Sequence, residues 1–283
     1  MELQYNFSRK ISITFLNEQT GSKFNIVCPS KGRKPNIQIS GTLLPCDFMS
    51  MVEIRIVNLY IERGKTFQKI IVEAGYEDKM NTAFEGEITN IYDESPGPEK
   101  VTVISCTQCK IKNMIGNLIA LNFTEGFSLK TALEKITQAA GLDSPIIAFN
   151  GNETSAAPLT FNGTVQDALH QLSGLFPTVT LMFTDKTIKA VKQEIGAGEQ
   201  TKIIKFLQSP PQVVGTTVII KAPWSPYIKP GDVVSVENAS YITKKVLSSG
   251  VMMKKYRINS IEFRYSTVQG ANSMTLQGYY PED

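Results

Sequence analysis

Apolar and polar residues alternate along residues 8–105 in short, regular runs. Ile11, Ile13 and Phe15 alternate with polar neighbours, as do Phe24 and Ile26, then Ile37 and Ile39. The same rhythm runs through Val52–Leu59 and Phe67–Tyr76, and through the pair Phe84–Tyr92 and Lys100–Cys106. Alternation with period two marks strands that bury one face. Between the last pair lies Glu94-Ser95-Pro96-Gly97-Pro98, where fixed proline φ and a permissive glycine predict an exposed hairpin connection. Short strands separated by turn signals point to a barrel or sandwich and away from a βαβ fold.

Near residue 120 the period changes. Leu129, Leu133, Ile136 and Ala140 fall on one face of a helix, with Ser128 at its N-cap and Gly141 at its C-terminal cap. A second helix starts at Thr164, with Asp167 in the capping-box position and Val165, Ala168, Leu169 and Leu172 on its apolar face. Predicted strands surround both helices: Leu118–Phe123, Ile146–Asn150, Ala157–Phe161, Thr178–Phe183 and Thr187–Val191. Gln193–Glu199 then reads as a flexible linker. Beyond it, strands are expected at Lys202–Leu207, Val213–Lys221, Val233–Glu237, Tyr241–Ser248, Met252–Tyr265 and Ser273–Tyr279. The expected organisation is a β domain over 1–115, an α+β insertion over 116–192 and a second β domain over 193–283. The fold class is mainly β, with two barrel- or sandwich-like domains flanking a small α/β module.

Composition narrows function more by exclusion than by motif. With 42% hydrophobic and 19% charged residues, the 283-residue chain is globular in balance, and its net charge of +3 is dispersed without a Lys/Arg-rich run. The start, Met1–Lys10, has no apolar h-region, and no apolar run reaches the ~20 residues of a membrane span. The one histidine, His170, falls within the second helix, which leaves no Ser-His-Asp or Cys-His arrangement elsewhere. Cys106-Thr107-Gln108-Cys109 has the spacing of a metal knuckle, but Cys28 and Cys46 are far apart; free thiols at a strand end are the simpler reading, zinc the alternative. Gly196-Ala197-Gly198 lacks the Gly-Lys-Ser/Thr ending of a phosphate loop. Glu85, Glu87, Asp93 and Glu94 cluster near one hairpin, where a solvated sheet face explains them better than an acid–base pair. No enzyme, cofactor or metal is called for.

The C-terminal region carries a resemblance. Leu207–Val218 resembles the turn and strand of phage tail hub proteins, with Ser209-Pro210 in place of their glycine-containing turn, and Ser225-Pro226-Tyr227-Ile228-Lys229-Pro230-Gly231-Asp232-Val233-Val234 is similar to their proline-rich turn. Val52–Leu59 and Phe84–Tyr92 resemble strands of the same family, and Phe127–Gly141 resembles the helix of its insertion. The resemblance implies a baseplate central hub, a ring of three copies whose two tube-like domains imitate a six-fold tail tube. Its implied partners are itself, the tail tube protein, the tail spike and other baseplate proteins, with DNA passing through the lumen. Its place would be the virion tail, assembled in the host cytoplasm.

Three other functions compete. A distal tail or tube-terminator protein would form a hexamer. A glycan-binding β module would want a row of exposed aromatics, whereas the lone tryptophan, Trp224, sits beside prolines. A peptidoglycan hydrolase would need a carboxylate pair or a Zn/His site. The candidate interface residues are Trp224, Tyr227 and Ile228, large side chains in a turn that either anchor a neighbour or close the barrel end of their own subunit.

Overall fold

The computed structural model describes residues 9–28, 35–45, 50–59, 67–76, 79–95, 97–108, 116, 118–149, 152–183, 187–196, 198–240, 255–268 and 272–279. The chain opens with β1 (Arg9–Leu16), β2 (Lys23–Cys28), β3 (Ile37–Leu43), β4 (Met51–Val57), β5 (Lys69–Tyr76), β6 (Lys79–Glu94) and β7 (Val101–Thr107). Alternation behaves as the pattern requires: Val52, Ile54 and Ile56 of β4 are buried while Glu53, Arg55 and Val57 between them are not.

The middle of the chain contributes β8 (Leu118–Phe123), α1 (Leu129–Ala140), β9 (Ile146–Ile147), β10 (Leu159–Thr164), α2 (Val165–Leu175), β11 (Val179–Phe183) and β12 (Ile188–Lys192). Both helices start where their caps predict. Ser128 Oγ accepts from the Thr131 N–H at 3.1 Å, Gly141 takes φ 66°, and Thr164 with Asp167 completes a capping box. The apolar faces named from periodicity are the buried ones, and with Ile119, Phe123, Phe161 and Leu181 they form an apolar cluster of their own.

The last third supplies β13 (Thr201–Phe206), β14 (Gln212–Val214), β15 (Thr217–Pro223), β16 (Val233–Ser240), β17 (Lys255–Ser266) and β18 (Ser273–Tyr279). These strands join those of the first third in one large sheet, ordered β14-β15-β18-β17-β3-β4-β7-β6-β5-β1-β2, with β16 beside β17 and β13 beside β16. The pairings are antiparallel apart from β13–β16. The seam between the two regions is β3–β17, from Leu43 opposite Ile261 to Gln38 opposite Ser266. Behind it, apolar side chains from both regions merge into one core. The chain is thus mainly β with two short helices, one large sheet and two small ones. No helix among the described residues is long and apolar enough to cross a membrane.

Two expectations need correction. Val213–Lys221 is a hairpin and not a single strand: β14 turns at Gly215, φ +58°, into β15. The linker over 193–199 is also held, through Arg257, as described below. The expected strand Tyr241–Ser248 and most of Met1–Lys10 lie outside the described residues.

Candidate assembly surfaces

Around the β3–β17 seam one face of the large sheet packs on the core and the other is open. Around the seam the open face carries Gln38, Ser40 and Thr42 of β3, Glu53 and Arg55 of β4, and Glu262 and Arg264 of β17, enclosing a shallow concavity of about 710 Å³. Its cations face carboxylates. Arg55 Nη1 donates to Glu53 Oε1 at 3.2 Å and Nη2 to Glu94, and Arg264 lies 3.7 Å from Glu262. The hydrogen bond that Arg55 donates to Glu53, with the charge of Glu94 behind it, raises the Arg55 pKa against the cost of partial burial.

The proline-rich turn is built for packing. Pro230 and Gly231 (φ +85°) form a type II turn closed by the Asp232 N–H on Lys229 O at 3.1 Å. The Asp232 carboxylate accepts from the Lys229 N–H at 2.6 Å and pairs with Lys202 at 2.5 Å, while Lys202 also donates to Tyr227 O. Trp224, 7% exposed, has its ring centroid 5.8 Å from that of Phe263 and 4.9 Å from that of Tyr265. Ile228 is 3% exposed, and Tyr227 is half-buried against the same core. Of the three residues singled out in this turn, Tyr227 alone keeps appreciable surface for a neighbour.

A third feature had no sequence signal. Arg257 of β17 is 3% exposed, yet its guanidinium reaches the stretch that leaves the helical module. Nη1 and Nη2 donate to the two carboxylate oxygens of Glu199, each at 2.7 Å, and Nη2 donates to Glu194 O and Nη1 to Gly231 O, both at 3.1 Å. This bidentate geometry holds the Glu199 pKa below the ordinary carboxylate value, with the Gly196 N–H adding a bond at 2.8 Å. Met182 and Val191 of the helical module are buried beside Gly231, so the module is seated on the proline-rich turn as well as latched to it. The expected flexible linker is held because a buried guanidinium must find acceptors, and this segment supplies three of them.

Residues 52–247, more than half of the chain, match the family model described as Baseplate hub gp41. The chain belongs to that family. Solved structures agree on the fold: a tail protein from Neisseria meningitidis (10% identity, TM-score 0.60, 98% of this chain and 97% of that one) and a 43 kDa tail protein of a Shewanella oneidensis prophage (9%, 0.60, 96% of each). An Escherichia coli component of the type VI secretion system, described as similar to the T4 tail proteins gp27 and gp5, matches at 12% identity and TM-score 0.60 over 89% of this chain and 76% of that one. At such identities the likeness concerns the fold alone. No curated protein matches the sequence.

The hub is therefore a structural component of a phage tail baseplate, in a family that assembles with other tail proteins. Its remaining chemical candidates are placed as follows. Cys106 is buried in β7, and burial pushes its thiol up to about 12; Cys46 and Cys109 lie outside the described residues. His170 is exposed on α2. The acidic group does not converge: Glu85 pairs with Lys69, Asp93 with Lys100 at 2.8 Å, and Glu94 with Arg55. No metal-binding cluster occurs among the described residues.

Proposed function

We propose that this hub protein forms a homotrimeric ring that joins the tail tube to the spike and lets DNA pass, each copy supplying two tube-like halves, 1–115 and 193–283, with 116–192 as a module outside the ring wall. Assembly in the host cytoplasm belongs to the same reading. The supporting observation is the shared sheet: strands from both halves continue through β3–β17, with one face at the seam open and the other packed on a common core. Such a unit presents two wall segments per copy, so three copies offer six. Tyr227, half-buried beside the buried Trp224, is the interface residue we retain from the proline-rich turn.

Mass photometry of the pure protein at micromolar concentration, followed by electron microscopy, tests this. A trimeric mass and three-fold rings are expected. Monomer alone would overturn the ring, and a six-copy ring would replace the hub arrangement with a distal-tail or terminator one.

A further inference from the structure

We propose that the helical module is a hinged arm: one latch, Arg257 with Glu199, fastens it to the large sheet, and it swings away as a body when that latch opens. The arm does not depend on the ring proposed above.

Among the described residues no strand of the module pairs with the large sheet, and the module's apolar cluster is separate from the sheet's core. On the return path the Gln193 N–H still donates to Thr178 O of the module at 2.9 Å, and Thr201 already pairs with Val233 of the sheet. The stretch between them contains Gly196 and Gly198, the latter at φ +90°, where the backbone bends at little steric cost. Arg257 fastens that stretch from the sheet side, taking both oxygens of Glu199 and the carbonyl of Glu194 while reaching back to Gly231 O. Beneath the latch lies the seat. Met182 and Val191 are 3% and 2% exposed, yet neither belongs to the module's cluster or to the sheet's core. Both stand beside Gly231, where a Cβ would lie 3.4 Å from Met182 Cγ. Docking is what buries them. Two apolar side chains are a small area beside either core, so the arm can leave without unfolding. The ion pair sets how it leaves. A buried pair adds less than apolar packing of the same volume, but much is lost once one partner goes. Arg257 Nε has no partner of its own, so the guanidinium depends all the more on Glu199.

The test follows labelling of three thiols by mass spectrometry in a C46S/C109S background. They are M182C in the seat, A168C in the module's core and the native Cys106 in the sheet's core, with each engineered thiol carried singly. With the latch cut by E199A, M182C is expected to label more than about tenfold faster, because breaking a buried ion pair shifts a local opening equilibrium by at least that factor. A168C and Cys106 are expected to keep their rates. An unchanged M182C would overturn the latch as the fastening. An equal rise in A168C or Cys106 would overturn the swing, since the opening would then be unfolding of the module or of the sheet. R257M opens the same latch without stranding a charge; it should give the same pattern, and it decides the matter if E199A does not fold. Mass photometry of the native protein reports on the ring separately, so either reading can fail alone.

Discussion

The latch between Arg257 and Glu199 yields an asymmetric prediction. Removing Glu199 as E199A leaves a guanidinium that is 3% exposed with two backbone carbonyls as its remaining acceptors, and its Nε already lacks a partner. Breaking a fully buried ion pair this way costs about 3–5 kcal/mol. Glu199 is 36% exposed, so water reaches the pair, and screening brings the expected loss to roughly 2–3 kcal/mol. R257M should cost less, because its carboxylate partner can turn into solvent while the apolar chain keeps its packing. Hydrogen exchange over residues 193–206 and urea midpoints are the assays, since local opening can precede global unfolding. Acid should mimic E199A. The folded pKa of Glu199 lies below its ordinary 4.5, so the latch contributes fully above that value and is lost as pH falls through the lower, folded one. An E199A protein within about 0.5 kcal/mol of native, with unchanged exchange over 193–206, would refute the reasoning.

Further outcomes follow from the packing. W224A should lose about 3–5 kcal/mol through the cavity left against Phe263 and Tyr265, read as a lowered melting temperature. Y227A should lower melting only by the packing it loses against the core and abolish the trimeric mass, and a trimer that persists would remove Tyr227 from the interface. G231A should cost about 1 kcal/mol or more in urea, because alanine is strained at φ +85°. In a C46S/C109S background, Cys106 should resist thiol reagents at neutral pH and react once the protein is unfolded; prompt labelling of the native form would contradict its burial.

What the sequence revealed was local. Both helices came with their caps and apolar faces because the signals of α1 and α2 lie within a few residues of the bonds they make. The hairpin of β14 and β15 was read through as one strand because β-branched residues flank Gly215 without the paired turn residues that usually announce a reversal. Trp224 and Ile228 looked like anchors because bulky residues beside prolines suggest an exposed turn; the fold instead brings Phe263 and Tyr265 from β17 beneath Trp224, some 40 residues later. The latch was illegible for a similar reason. Arg257 and Glu199 are 58 residues apart, and nothing in strand periodicity marks a buried position that carries charge.

The seam shows why a non-local pairing matters more to a hub than any motif. β3 has β4 on one side and β17 on the other, so neither half ends in a free edge where they meet. The end of the seam is pinned across 230 residues: Thr267 Oγ1 accepts from the Ile37 N–H at 2.9 Å and donates to Pro35 O at 2.5 Å, while the Thr267 N–H donates to Ile37 O at 2.9 Å. Opposite Phe263 on β17, Gly41 holds β3 close to β4, since a Cβ there would stand 2.6 Å from Met51 O. Backbone bonds resist shear along the seam, and the Trp224–Phe263–Tyr265 stack fills the core on the side facing away from the concavity. Hinge motion between the halves would have to break this ladder and open that core together. In the ring proposed above, a wall segment that holds its curvature while DNA passes would draw on that resistance. The helical module, with its small sheets and its own core, is attached by the latch and the seat at Gly231, so it can yield without opening the large sheet.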